Sequence, residues 1–147
     1  MKKILAGLVM VAAGVIFGCG GGGGQTGSTD SSATSPTIVV PSVASVFQGE
    51  GIYSIQGSAM DGVAGIDLNI SYPYPDLSSP SVTQGGLISG AMMVANTNTP
   101  GNIKIAIINS KAFSGSGEIV RITFANKGSG TLSITAGMIN ASGDKML

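Results

Sequence analysis

The sequence predicts an all-β fold, a two-sheet β-sandwich, on three observations. Charged residues make up only 10% of the 147-residue chain, far below the roughly 25% of ordinary soluble domains, and a helical bundle needs Glu, Lys and Arg on its solvent faces. Past Pro41 apolar and polar residues alternate with the period of two that marks half-buried strands. Clusters of glycine, proline and serine then cut the chain into short pieces, the spacing of a sandwich rather than of helices.

The alternation is clearest at Ile66, Leu68, Ile70 and Tyr72, with Asp67, Asn69 and Ser71 between them. It recurs at Ile103-Ile105-Ile107, at Val120-Ile122-Phe124 and at Leu132-Ile134. A further apolar strand is expected within Leu87–Ala95, and weaker ones around Ser45–Tyr53, Ser81–Gln84 and Met138–Ala141. Turns are predicted at Pro73 and Pro75, Gly85-Gly86, Thr99-Pro100-Gly101, Gly115-Ser116-Gly117 and Lys127–Gly130. Residues 42–147 match the roughly 100 residues that a sandwich uses, and a domain of that size buries enough surface to stand without disulfides.

Ahead of this domain two segments have other jobs. Lys2 and Lys3 form a positive region, and Ile4 to Phe17 form an uncharged apolar stretch. That is the layout of a signal peptide over residues 1–18; the apolar run is shorter than the roughly 20 residues of a spanning helix and no positive stop-transfer cluster follows. Ile16-Phe17-Gly18-Cys19 resembles the lipobox of bacterial lipoproteins, with an aliphatic residue at −3, a small one at −1 and cysteine at +1. The resemblance implies that Cys19 becomes the lipid-modified first residue of a membrane-anchored protein, and Gly20 after it points to outer-membrane sorting. As the chain's one cysteine, Cys19 has no internal disulfide partner.

Residues 19–41 read as a linker. Gly20 to Thr37 holds almost no large apolar side chain, so it cannot offset its ordering entropy, and as a flexible coil it reaches roughly 20–25 Å. The pentaglycine run is no phosphate cradle, because no strand precedes it and no Lys-Ser/Thr closes it. With Lys2 and Lys3 in the leader, the mature chain is slightly acidic and its cations, Lys104, Lys111, Arg121, Lys127 and Lys145, are scattered. Nucleic acid, which demands a clustered basic face, is not an expected partner.

Four stretches of the domain resemble a family. Val63-Ala64-Gly65-Ile66-Asp67-Leu68-Asn69-Ile70-Ser71-Tyr72, Val82-Thr83-Gln84-Gly85, Gly101-Asn102-Ile103-Lys104-Ile105-Ala106 and Phe113-Ser114-Gly115-Ser116-Gly117-Glu118-Ile119-Val120-Arg121-Ile122-Thr123-Phe124 follow in the order and spacing of cohesin domains. The resemblance covers roughly residues 50–147, and it implies a nine-stranded jelly-roll sandwich akin to carbohydrate-binding modules. It also implies a dockerin-type protein module as partner, one belonging to polysaccharide-degrading enzymes or scaffold proteins. The chain departs from the family at Tyr72-Pro73-Tyr74-Pro75-Asp76, where Tyr-Asp-Pro is usual, and in its shorter domain.

Catalytic candidates are few. The chain has no His, which removes Ser-His and Cys-His nucleophile systems and the usual zinc sites. Six carboxylates, Glu50, Asp61, Asp67, Asp76, Glu118 and Asp144, remain for a glycosidase pair or a calcium site, but their spacing suggests neither, and turn or strand-surface roles account for them. No enzyme activity, cofactor or metal is therefore expected. Tyr72 and Tyr74 raise direct carbohydrate binding as the alternative; Tyr72 continues the inward parity of the strand before it, whereas Tyr74 between two prolines is expected outside. Outward polar residues such as Asn69, Ser71 and Thr123 promise a flat surface, and Ile108 or Met92 could give it an apolar centre. Of the neighbours Met92 and Met93, one must face inward.

Overall fold

Alternation decides which side chains each strand buries, and the structure, a computed structural model describing residues 39–146, follows it closely. Eight strands run β1 Ser42–Gly49, β2 Ile52–Ser58, β3 Val63–Ser71, β4 Pro80–Gln84, β5 Met92–Thr99, β6 Asn102–Ile108, β7 Gly117–Phe124 and β8 Ser133–Asn140. They form two antiparallel four-stranded sheets, β1-β2-β7-β4 and β5-β6-β3-β8. The chain crosses between sheets at every connection except the β1–β2 and β5–β6 hairpins.

The core lies between the sheets. Ile66, Leu68 and Ile70 of β3 and Ile103, Ile105 and Ile107 of β6 meet Ile55 of β2 and Val120, Ile122 and Phe124 of β7. Burying a side chain of this size is worth about 1.5–3 kcal/mol, so the inward rows supply most of what holds the sheets together. Phe124 sits among aromatics, edge-on to Tyr53 at 5.8 Å and tilted against Tyr72 at 4.9 Å. Such geometry matches the ring quadrupoles and adds to the area term. The Tyr53 hydroxyl has its partners at Gly130, donating to the carbonyl at 2.7 Å and accepting from the N–H at 2.8 Å.

Three predicted elements differ from those found. The strand expected around Ser45–Tyr53 is a hairpin, broken at Glu50-Gly51, where both residues have positive φ (49° and 73°). A β-carbon on Gly51 would stand 2.9 Å from the Lys127 backbone, so glycine is needed there on two counts. The strand expected within Leu87–Ala95 begins only at Met92; Gly86–Ile88 is instead a single 3-10 turn that drops Ile88 into the core. Leu132-Ile134 and Met138–Ala141 belong largely to one strand, β8, because Ala136 and Gly137 hide the alternation between them. Nine strands are implied by the family resemblance; eight are present among the described residues. The signal peptide, Cys19 and most of the linker lie outside those residues.

Candidate functional site

Strand register assembles a surface that no single segment carries. In the β5-β6-β3-β8 sheet the outward residues line up in rows across four strands. One row is Met92, Ile108, Gly65 and Ile139; the next is Val94, Ala106, Asp67 and Gly137; the next is Asn96, Lys104, Asn69 and Thr135. One end of the face is thus apolar and the other is rich in amides and hydroxyls.

Met92, Val94 and Ile108 are 70%, 64% and 56% exposed, a concentration of bare apolar side chains. Small residues between them, Gly65, Ala106 and Gly137, leave a shallow trough of about 500 Å³, flanked by Met92 and Val94 on one side and Ile139 on the other. A second depression of about 440 Å³ continues from Val94 and Ala106 toward Asn96, Lys104 and Asn69. At the polar end the Asn102 side-chain amide donates to Asn69 Oδ1 at 2.7 Å, which fixes both amides in the plane of the sheet surface. An apolar centre beside a polar margin on a hydrogen-bonded, stiff sheet is the composition of a protein-docking surface.

The outer face of the other sheet is different in kind. Ser54 on β2 is 2% exposed although it points away from the core, because Gln56, Glu118 and Arg121 close over it. Gln56 donates to the Ser54 hydroxyl, Ser54 donates to Glu118, and Arg121 reaches the same carboxylate oxygen at 3.1 Å. The Ser54 hydrogen bond holds the Glu118 carboxyl below its ordinary range against the opposing effect of desolvation, with help from the hydrogen bond and charge of Arg121.

The six carboxylates of the sequence are not brought together. Glu50 pairs with Lys127 at 3.2 Å, Asp61 accepts from the Gly115 N–H at 3.2 Å, and Asp144 accepts from the Asn140 amide at 3.0 Å. Asp76 lies in the loop after β3 and Asp67 stands alone on the apolar face. Among the described residues no three His, Cys, Asp or Glu side chains gather as a metal site. Tyr72 is core and Tyr74 is 59% exposed. Met92 faces out while Met93 packs inward. Asn69 and Ser71 share the outer face of the β5-β6-β3-β8 sheet, but Thr123 lies on the opposite sheet, so these three do not form one surface. Val94, Ala106, Gly137 and Ile139 were not among the expected surface residues; Val94 alone lies in a local signal, the Met92-Met93-Val94-Ala95 run that is apolar on both parities, and the other three join the surface only through register.

A model of the cohesin domain matches residues 36–145. No curated protein matches the chain in sequence. Among solved structures, a non-cellulosomal cohesin from the hyperthermophilic archaeon Archaeoglobus fulgidus is similar at 21% identity and a TM-score of 0.66, over 74% of this chain and 84% of that one. The sixth cohesin of Acetivibrio cellulolyticus scaffoldin B, solved in complex with a dockerin, is similar at 13% identity and a TM-score of 0.56, over 74% and 90%. A type I cohesin solved in a cohesin–dockerin complex from Clostridium thermocellum is similar at 12% identity and a TM-score of 0.56, over 71% and 78%. At these identities the likeness to each is one of fold. With the family model spanning both sheets, the chain belongs to the cohesin domain family.

Proposed function

We propose that this chain is a non-enzymatic surface lipoprotein whose cohesin domain docks a dockerin-type protein module on the outer face of the β5-β6-β3-β8 sheet. The observation that carries the reading is the exposed apolar trio of Met92, Ile108 and Val94, with half-buried Ile139 in the same row, set on an antiparallel face. Similar folds solved with bound dockerins support the choice of partner class. The module it captures would belong to polysaccharide-active enzymes or scaffolds, and acylation of Cys19 would hold the complex at the outer membrane.

The test is a pull-down from the organism's own secreted proteins with residues 20–147, which keep all eight described strands. A captured protein carrying a dockerin, lost with Val94→Lys and Ile108→Asp, is the expected result. For the anchor, the exported Cys19→Ala chain should leave the membrane fraction and carry no acyl group; firm membrane retention after cleavage would refute that part alone.

A second reading, direct carbohydrate binding, rests on Tyr74. Its loop is pinned by fully buried Leu77 and by Asn126, whose amide donates to the Pro75 carbonyl at 3.2 Å, and the ring is 59% exposed on that held backbone. Retention on an insoluble polysaccharide that vanishes with Tyr74→Ala, with no protein captured, would favour this reading over docking.

A further inference from the structure

A mild two-electron oxidant has few targets in this domain. Residues 20–147 contain no Cys, Trp or His, so the thioethers of Met60, Met92, Met93, Met138 and Met146 are the side chains that a peroxide attacks most readily. The fold treats these methionines differently. Met60 and Met138 are fully buried, and Met93 and Met146 pack against the core. Met92 is 70% exposed.

Parity and register explain the difference. Met92 opens β5 and pairs with Ile108 of β6, so it stands outward at the head of the row that continues through Gly65 to Ile139, with Val94 beside it. Met93, one residue on, points the other way and is turned in. One thioether is thus left bare, and it lies on the apolar end of the proposed docking face.

We propose that Met92 is an oxidation site whose conversion to the sulfoxide releases the docked partner. The inference rests on the docking reading of this face. In the step, the Met92 sulfur attacks one oxygen of hydrogen peroxide, the O–O bond breaks, an S–O bond forms and the second oxygen leaves as water. The sulfur loses the two electrons that the peroxide gains, and no protein acid, base or metal is needed. A methionine sulfoxide reductase reverses it, taking two electrons from a pair of thiols that become a disulfide and releasing the oxygen as water. The oxidised side chain is polar and carries a strong hydrogen-bond acceptor. Its neighbours on the face, Ile108 and Val94, have no side-chain donor, and Asp67 in the next row is itself an acceptor. Lys145, the cation lining the trough, is bridged to Ile139 at the far end of the row. Docking would bury the sulfoxide oxygen without a partner from this chain, which weakens binding at least about tenfold.

The experiment treats residues 20–147 with graded hydrogen peroxide, removes the peroxide, locates added oxygen by peptide mass spectrometry and then titrates the dockerin-bearing protein captured in the pull-down. Met92 should gain oxygen at least about tenfold faster than Met60, Met93 and Met138. The chain oxidised at Met92 should bind at least about tenfold more weakly, melt as the untreated chain does, and recover its affinity with the reductase. Met92→Leu, whatever its own affinity, should bind equally before and after peroxide, while Met93→Leu should respond as the parent does. Oxidation spread evenly over the methionines, or beginning at another, overturns the proposal. So does a Met92 sulfoxide that binds with unchanged affinity, and that result leaves the docking face standing. No capture, or capture indifferent to Val94→Lys and Ile108→Asp, removes the docking face and this inference with it.

Discussion

The side chain of Ile139 lies across Gly65 so closely that a β-carbon at position 65 would stand 2.6 Å from Ile139 Cγ1. The two residues face each other on β8 and β3, and the glycine lets Ile139 fold down onto the sheet as one wall of the apolar trough. Gly65→Ala should therefore destabilise by about 1–3 kcal/mol, the cost of overpacking. Adding Ile139→Ala in that background should recover much of the loss, giving a coupling of about 1 kcal/mol or more in a double-mutant cycle read by chemical denaturation.

Glu118 predicts a pH dependence of stability. Its folded-state carboxyl sits below the unfolded value of 4.5, so its contribution is complete above that pH and disappears as the pH falls through the folded-state value. Glu118→Gln should cost about 1–2 kcal/mol at pH 7, the worth of hydrogen bonds to a charged group. The gap between variant and parent should close on acidification into the range where the parent carboxyl is protonated. Unfolding curves at neutral and acid pH measure both.

Tyr53→Phe removes one hydroxyl and leaves two backbone groups of Gly130 without their partner. Since the ring itself stays in the core, the expected loss of about 1–3 kcal/mol isolates the cost of unpaired polar groups. Equilibrium denaturation of the single variant is sufficient, and Phe124 packing serves as the control through near-ultraviolet circular dichroism.

Docking through a mostly apolar face predicts weak salt dependence. Asp67, Lys104 and Lys145 are the charged residues that line its depressions, and no ion pair joins them among the described residues. Raising salt from about 0.1 M to about 1 M, which shortens the screening length from roughly 10 Å to 3 Å, should change the dissociation constant by less than about threefold. Ile108→Asp should weaken binding at least about tenfold, or about 1.4 kcal/mol, while unfolding stays within about 0.5 kcal/mol of the parent. Calorimetric titration with the captured module reads the first two and denaturation the third.

What the sequence disclosed follows from burial. β3, β6 and β7 have one face in the core and one in solvent, so Ile66-Leu68-Ile70 and its counterparts alternate cleanly. β1 is an edge strand whose Val43 packs inward while Val46 and Phe47 are exposed on both faces, so no parity emerges, and the Gly-Glu-Gly turn after it went unread. Leu87 and Ile88 look like strand because they are apolar, yet they plug the space between sheets from a 3-10 turn. The proposed docking face was the least legible part. Met92, Ile108, Gly65 and Ile139 are neighbours only through the pairing of β3 with both β6 and β8, and no local pattern encodes that register.

The placement of β1 also has a mechanical meaning. The chain enters the sandwich at buried Pro41 and passes at once into β1, whose one paired strand among the described residues is β2, while the proposed docking face belongs to the opposite sheet. Tension between a bound partner and the N-terminal chain therefore runs in series through the packed core and then the β1–β2 ladder. The pull arrives at the Ser42–Ser58 end, where one pair of residues after another bears the load.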